Sequence, residues 1–305
     1  MASWRTATAA LFGGVAAGLA LGLLATDDQK SGVAKLLALK QGVARSAVFR
    51  ARHPPVTAAP SSPPAAAGPR FDHSRWTAVL RRYVVPGTIN GCATHVVRYG
   101  PELEADTDFR AYLDQLAAAS DPASWADSDE ALAFYLNAYN ALCMGHVVRY
   151  RREHPAADGG APLEKLTDIP ARERSGASSS IWTLPAGVVA GKTLSLDTLE
   201  NGIIRAGWDE PRCHAALNCA SCHCPNLRRE AFEASRLDEQ LDEQAREWLS
   251  NPQKGVSVVT APTPPPPSEG AKGAPLRLRA TPIFDWYAKD FGSDGSPLGF
   301  IRKHR

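Results

Sequence analysis

The sequence has little net charge, few cysteines for its length and no internal repeat. Its 34 Lys and Arg residues nearly balance 32 Asp and Glu residues, and the resulting charge of +2 gives no support to nucleic-acid binding. Six cysteines in 305 residues are too sparse for a small fold built on disulfides. A hydrophobic content of 44% with 22% charged residues instead fits a globular protein with a core.

Charged residues are also missing from Thr6 to Thr26, a run rich in Ala, Leu and Gly. The run is long enough to span a bilayer, which takes about 20 residues. We therefore expect residues 1–28 to be a transmembrane anchor or a targeting segment. Small residues recur every fourth position, at Gly14, Gly18 and Gly22. This spacing lets two membrane helices approach closely and predicts a homodimer, although an Ala/Gly-rich segment also produces it by chance.

The flanks of this run bear on its topology. Only Arg5 precedes it, whereas six basic residues follow before His53. The positive-inside rule then predicts a single-pass protein with a cytosolic globular domain, in which the cysteines stay reduced. A lumenal domain would instead allow a Cys219–Cys224 disulfide. A cleaved organelle transit peptide is the alternative for a basic, Ala-rich segment, and the run is longer than the h-region of a secretory signal, about 7–15 residues.

Residues 29–70 are basic at first and then rich in Pro and Ala. This composition indicates a linker that cannot form a hydrophobic core. The globular domain is expected at 71–305, with an α+β fold that is mainly helical and contains a small antiparallel sheet. Strands are predicted at Ile181–Leu184 and Gly191–Leu194, and Val256–Thr260 and Leu276–Ala280 alternate and could pair.

Several polar residues lie on predicted apolar helices. Asn137 and Asn140 are three residues apart in the apolar segment 131–148 and share a helix face. Because buried amides need partners, we interpret them as structural hydrogen-bonders that hold a neighbouring loop. Glu200 lies on a helix face near Ile203 and Ile204, where its carboxylate could pair with Arg205 or Arg212.

Residues 210–227 hold the densest group of reactive side chains: Cys213, His214, Cys219, Cys222, His223 and Cys224. Cys224 precedes Pro225, which suits the first position of a helix. A thiol at that helix start would have a lowered pKa. If residues 215–217 form a strand, His214 and Asn218 share one face and Cys219 points away.

The motifs resemble one family, the domain of unknown function 547 family, from about Arg75 to Arg302. They are Val97-Arg-Tyr99 with the later Tyr112-Leu113, the Glu130 to Asn140 segment with its Ala-Phe-Tyr core, Leu194 to Glu200, Pro211-Arg212-x-His214, Ala216-Leu-Asn-Cys219, Cys224-Pro225 and Ile283 to Gly292. The resemblance implies one domain and no known activity. Cys213, Cys222 and His223 depart from the family pattern, as do Asn201 and Glu210.

Three interpretations of the cluster remain open. We favour a structural or protein-interaction module with an unidentified protein partner and no cofactor. The second interpretation is a thiol-dependent hydrolase or acyltransferase that uses Cys224 or Cys219, with His214 as base and Asn218 or Glu200 orienting it. The third is a zinc site formed by Cys219, Cys224 and His214 with one further ligand.

Overall fold

The computed structural model describes residues 70–154, 166–169, 180–221, 224–260, 276–292 and 296–305. The expected anchor, its three glycines and nearly all of the linker lie outside these residues, so the predictions made for them stay predictions. Among the helices that the structure describes, none has the length and apolar character needed to cross a membrane.

Helices dominate the described chain. The α-helices are α1 (Ser74–Tyr83), α2 (Pro101–Glu104), α3 (Thr107–Ala118), α4 (Ser128–Glu153), α5 (Arg205–Gly207), α6 (Cys213–Ala216), α7 (Leu237–Ser250), α8 (Ile283–Trp286) and α9 (Leu298–His304). A π-helical stretch, Thr198–Ile204, leads directly into α5. Short 3₁₀ turns occur at Pro122–Ser124, Leu166–Asp168, Ala234–Arg236 and Ala288–Asp290.

The strands form antiparallel pairs. They are β1 (Val84–Ile89) with β2 (Cys92–Val97), β3 (Pro185–Val189) with β4 (Lys192–Ser195), and β5 (Val256–Thr260) with β6 (Leu276–Ala280). The prediction of a mainly helical α+β fold is confirmed, with three two-stranded sheets in the described chain in place of one. The pairing of the last two strands is also confirmed. The strand expected at 181–184 is wrong, because that segment is a turn that precedes β3.

Helix α4 lies at the centre of the main core. Its residues are apolar around the whole circumference from Ala131 to Val148, and nearly all of them are buried, as expected of a helix surrounded by other elements. The Asp127 side chain accepts hydrogen bonds from the backbone N–H groups of Asp129 and Glu130, which satisfies the start of the helix. A second apolar cluster joins Trp248 of α7 to Phe284 and Phe291 of the C-terminal segment.

The chain around the cysteine cluster differs from expectation in two places. Residues 213–216 form the short helix α6 instead of leading into a strand. Residues 225–232 contain no helix, so Pro225 does not begin one. The reason is visible in the backbone hydrogen bonds: Thr77 Oγ1 accepts from Ala231 N, and Asn137 Oδ1 accepts from Phe232 N. Distant side chains satisfy this segment, so regular structure is not needed.

Candidate functional site

Two cysteines of the cluster form a disulfide. Cys219 and Cys224 are joined by a disulfide with an S–S distance of 2.00 Å and Cα atoms 6.2 Å apart. Of the two alternatives for this pair, reduced thiols or a disulfide, the structure has the disulfide. A disulfide sulfur carries no thiolate, so the Cys224 side chain is not the activated thiol expected at a helix start. Cys224 is also buried, with 6% of its surface exposed.

Asn218 braces the disulfide loop and does not orient His214. Its Oδ1 accepts from the backbone N–H of Ala220 at 2.9 Å, and its Nδ2 donates to the carbonyl of Pro225 at 2.8 Å. The side chain thus connects the two ends of the loop that the disulfide closes. The orienting role expected for Asn218 in the enzyme interpretation is not supported by these contacts.

Asn137 and Asn140 project from α4 toward different segments. Asn137 bonds both backbone groups of Phe232, donating to its carbonyl at 2.8 Å and accepting from its N–H at 2.9 Å. Asn140 donates to the carbonyl of Ala216 at 2.9 Å and accepts from the N–H of Asn218 at 2.9 Å. Both side chains are buried, and each uses its amide nitrogen and its amide oxygen in hydrogen bonds to the backbone. Through them, α4 holds the chain on each side of the disulfide.

His214 is held by a residue from the far end of the chain. Its Nε2 lies 2.8 Å from Oδ2 of Asp290, and its ring stacks on Tyr287 with centroids 4.3 Å apart. Asp290 also receives two hydrogen bonds from Arg205, at 2.6 and 3.1 Å. Sequence reasoning missed Asp290 as a partner, although the Ile283 to Gly292 motif that contains it had been recognised.

Glu200 pairs with two tyrosines and not with an arginine. It accepts from Tyr139 at 3.1 Å and from Tyr287 at 2.7 Å. Arg205, one of its two expected partners, instead binds Asp290 and lies 4.3 Å above the Tyr287 ring. The expectation of an Arg partner for Glu200 is wrong, because Tyr139 and Tyr287 occupy its two oxygens.

Arg212, the other expected partner, belongs to a separate ionic group. It forms a bidentate salt bridge with Glu210, through Nε at 2.8 Å and Nη2 at 2.6 Å. Its guanidinium also contacts Asp242 at 2.6 Å and Asp238 at 2.8 Å, both on α7. Such bidentate contacts between planar groups are strong and directional, so Arg212 attaches the start of α6 to α7.

The electrostatics beside His214 keep Asp290 ionised and Tyr287 neutral. Partial burial tends to raise the pKa of Asp290, but hydrogen bonds from His214 and Arg205 outweigh it and bring that pKa down to about 2. Burial raises the pKa of Tyr287, and the nearby carboxylate of Glu200 raises it further. Tyr287 therefore remains a neutral donor, and Asp290 remains an anion over the physiological range.

The remaining described cysteines are buried thiols. Cys92, Cys143 and Cys213 are buried. Burial raises the pKa of Cys143 to about 12 and that of Cys213 well above its ordinary value. Cys222 and His223 lie outside the described residues. Within the part of the chain that the structure describes, the sulfur atoms are thus either bridged or buried thiols.

The three residues of the zinc interpretation have other partners. Cys219 and Cys224 are bonded to each other, and His214 Nε2 contacts Asp290. No group of three or more His, Cys, Asp or Glu side chains that could hold a metal ion occurs among the described residues.

The comparisons with known proteins agree with the motifs. Residues 122–249 match the family model described as "Protein of unknown function, DUF547", a stretch that runs from the turn before α4 to the end of α7. It contains Glu200, His214 and both bridging cysteines, whereas Tyr287 and Asp290 lie beyond it. Neither the search of curated proteins nor the search of solved structures found a match. The expected resemblance is therefore confirmed over residues 122–249, which are similar to the DUF547 family.

Proposed function

We propose that residues 71–305 act as a structural or protein-interaction module, and that the bridging cysteines serve it as a brace and not as nucleophiles. One observation carries this proposal. Cys219 and Cys224, the two cysteines that the enzyme interpretation requires, are bonded to each other in a disulfide. A nucleophilic mechanism would need one of them as a free thiolate near its base.

The internal pairing of the polar cluster supports the same proposal. Glu200, His214, Arg205 and Asp290 bond to one another or to tyrosines, in contacts of 2.6–3.1 Å. These bonds connect four parts of the chain: α4, the π-helical stretch that leads into α5, α6 and the C-terminal segment. An acid–base site presents at least one group toward a substrate, whereas the hydrogen bonds of this cluster end on its own members and on Asn201.

A partner surface is suggested by exposed apolar side chains of β5, β6 and α8. Val258 of β5 is 53% exposed and lies directly opposite Leu278 of β6, which is 49% exposed. Trp286, on α8 shortly after β6, is 63% exposed. Exposed Trp is characteristic of residues that dominate protein–protein contacts. We assign partner binding to this surface, Val258, Leu278 and Trp286.

Membrane attachment through residues 6–26 is part of the proposal. Because disulfides persist in oxidising compartments, the bridge favours a domain on the oxidising side of that membrane and not in the cytosol. Extraction of membranes with alkaline carbonate should leave the full-length chain in the pellet. Deletion of residues 6–26 should release it, and release of the intact chain would contradict the anchor. Gly18→Leu tests the proposed dimer, since cross-linking should fall relative to a Leu19→Ala control.

Two measurements on the full-length chain test the module. Iodoacetamide at near-neutral pH should leave Cys219 and Cys224 unlabelled. After mild reduction it should label them no faster than a free cysteine in the denatured chain. The partner captured by the wild type should be retained by Cys219→Ser/Cys224→Ser and lost with Trp286→Ala. Rapid labelling of Cys224 would instead support the interpretation as a thiol-dependent enzyme and contradict the proposal.

A further inference from the structure

A cleft of about 490 Å³ is lined by residues of α7, β2, the end of α1 and the segment 228–230. Its volume falls within the range of small-molecule sites, about 300–1,000 Å³. Basic groups reach it from Arg81 and Arg229, and carboxylates reach it from Glu243 and Glu247 of α7. The cleft is separate from the His214 cluster in its lining residues.

One arginine of the cleft is neutralised by the protein. Arg228 donates to Glu230 at 2.8 Å and to Glu243 at 2.9 Å, and its side chain is only 12% exposed. It also donates to the carbonyl of Gln240 at 3.2 Å. Arg228 therefore forms part of the wall, and its two carboxylate partners are occupied with it.

Arg81 and Arg229 are different. Neither has a carboxylate partner among the described residues, and Nη2 of Arg229 reaches only the carbonyl of Arg81, at 3.4 Å. Both side chains are exposed at the cleft. Two guanidinium groups that line one cleft without a counter-ion repel each other, and an oxyanion bound between them removes this cost. This side of the cleft is thus suited to a carboxylate or phosphate.

Glu247, which lines the same cleft, determines which kind of anion fits. Glu247 accepts one hydrogen bond, from the Asn226 amide at 2.5 Å, and within the described chain it pairs with no cation. A plain polyanion held by the arginines would face this carboxylate and be repelled. A ligand with a carboxylate at one end and an ammonium at the other would pair with the arginines and with Glu247.

We propose that this cleft binds a small zwitterionic ligand of the amino-acid or short-peptide class. Its carboxylate contacts Arg81 and Arg229, and its ammonium contacts Glu247. The inference stands apart from the proposed function, because none of its residues belongs to the disulfide, the His214 cluster or the exposed apolar surface.

Calorimetric titration of the full-length chain in detergent tests it with four probes: the dipeptide alanyl-alanine, its N-acetylated form, its C-terminal amide and inorganic phosphate. We expect alanyl-alanine to bind, and each blocked form to bind at least about tenfold more weakly, because each loses one charged contact. Phosphate should bind more weakly than the dipeptide.

Variants locate the two ends of the ligand. Arg229→Ala should weaken binding of alanyl-alanine about tenfold and leave the amide form unchanged, while Glu247→Ala should weaken the dipeptide and leave the N-acetylated form unchanged. Arg110→Ala, an exposed arginine on α3 outside the cleft, should change neither. Equal binding of the N-acetylated form and the dipeptide would overturn the proposal. So would tighter binding of phosphate, or no binding of alanyl-alanine at millimolar concentration.

Discussion

The phenol of Tyr287 donates a 2.7 Å hydrogen bond to Glu200, although 87 residues separate the two in the chain. The other oxygen of Glu200 accepts from Tyr139 of the central helix α4. A single carboxylate therefore joins the buried helix to the C-terminal segment. The neighbouring bonds of Asp290 to His214 and Arg205 strengthen the same junction.

Removal of the Tyr287 hydroxyl should weaken this junction. Tyr287→Phe leaves one oxygen of the half-buried Glu200 without its donor, and we expect the free energy of unfolding to fall by about 1–2 kcal/mol. Urea denaturation measures it. Tyr150→Phe is the matched control, because its hydroxyl has no hydrogen-bond partner among the described residues. Equal losses in the two variants would contradict the role of Tyr287.

Asp290 should make stability depend on acid pH. Its pKa is about 2 in the folded protein, below the ordinary value of 3.8. A lowered carboxyl pKa contributes stability that is complete above the unfolded pKa and is lost as pH falls toward the folded one. The contribution, up to about 2 kcal/mol, should therefore disappear between about pH 4 and pH 2.

Urea unfolding of the wild type and Asp290→Asn across this range tests the assignment. The difference in unfolding free energy should be largest near neutral pH and should shrink steadily below pH 4. Acid effects from other carboxylates are common to both proteins and cancel in the difference. A difference that stays constant from pH 7 to pH 2 would show that the charge of Asp290 contributes nothing.

The disulfide should stabilise the fold by restricting the unfolded chain. Its cysteines are five positions apart, and closing so short a loop is worth about 2 kcal/mol in the chain-entropy account. A reducing agent should lower the melting temperature of the wild type and leave Cys219→Ser/Cys224→Ser unchanged. Peptide mapping after treatment with iodoacetamide under denaturing, non-reducing conditions should find Cys219 and Cys224 unalkylated on the peptide that they share. Alkylation of both would rule out the bridge.

Asn137 should contribute more to stability than an exposed polar residue of the same helix. Asn137→Leu leaves the N–H and the carbonyl of Phe232 unpaired in a buried site, and we expect a loss of about 3 kcal/mol. Arg152→Ala, in the exposed last turn of α4, serves as the control and should change stability by less than about 0.5 kcal/mol. Thermal or urea unfolding compares them, and similar small losses would be inconsistent with a buried brace.

The sequence predicted those parts of the fold whose apolar pattern follows from local geometry. The run from Ala131 to Val148 indicated a buried helix, and the alternation in 256–260 and 276–280 indicated the β5–β6 pair. It did not predict the chain from 213 to 232. There the backbone hydrogen bonds end on side chains such as Thr77 and Asn137, which lie far away in sequence.

The cysteine cluster shows the same division. From the sequence alone, the family, the mainly helical α+β class and the concentration of Cys and His residues were accessible, because motifs and periodicity are local properties. Only the tertiary structure showed that Cys219 bonds to Cys224, that His214 pairs with Asp290 and that Glu200 binds two tyrosines. Each of these partners is selected by which segments pack against α4, and that packing is a property of the whole fold.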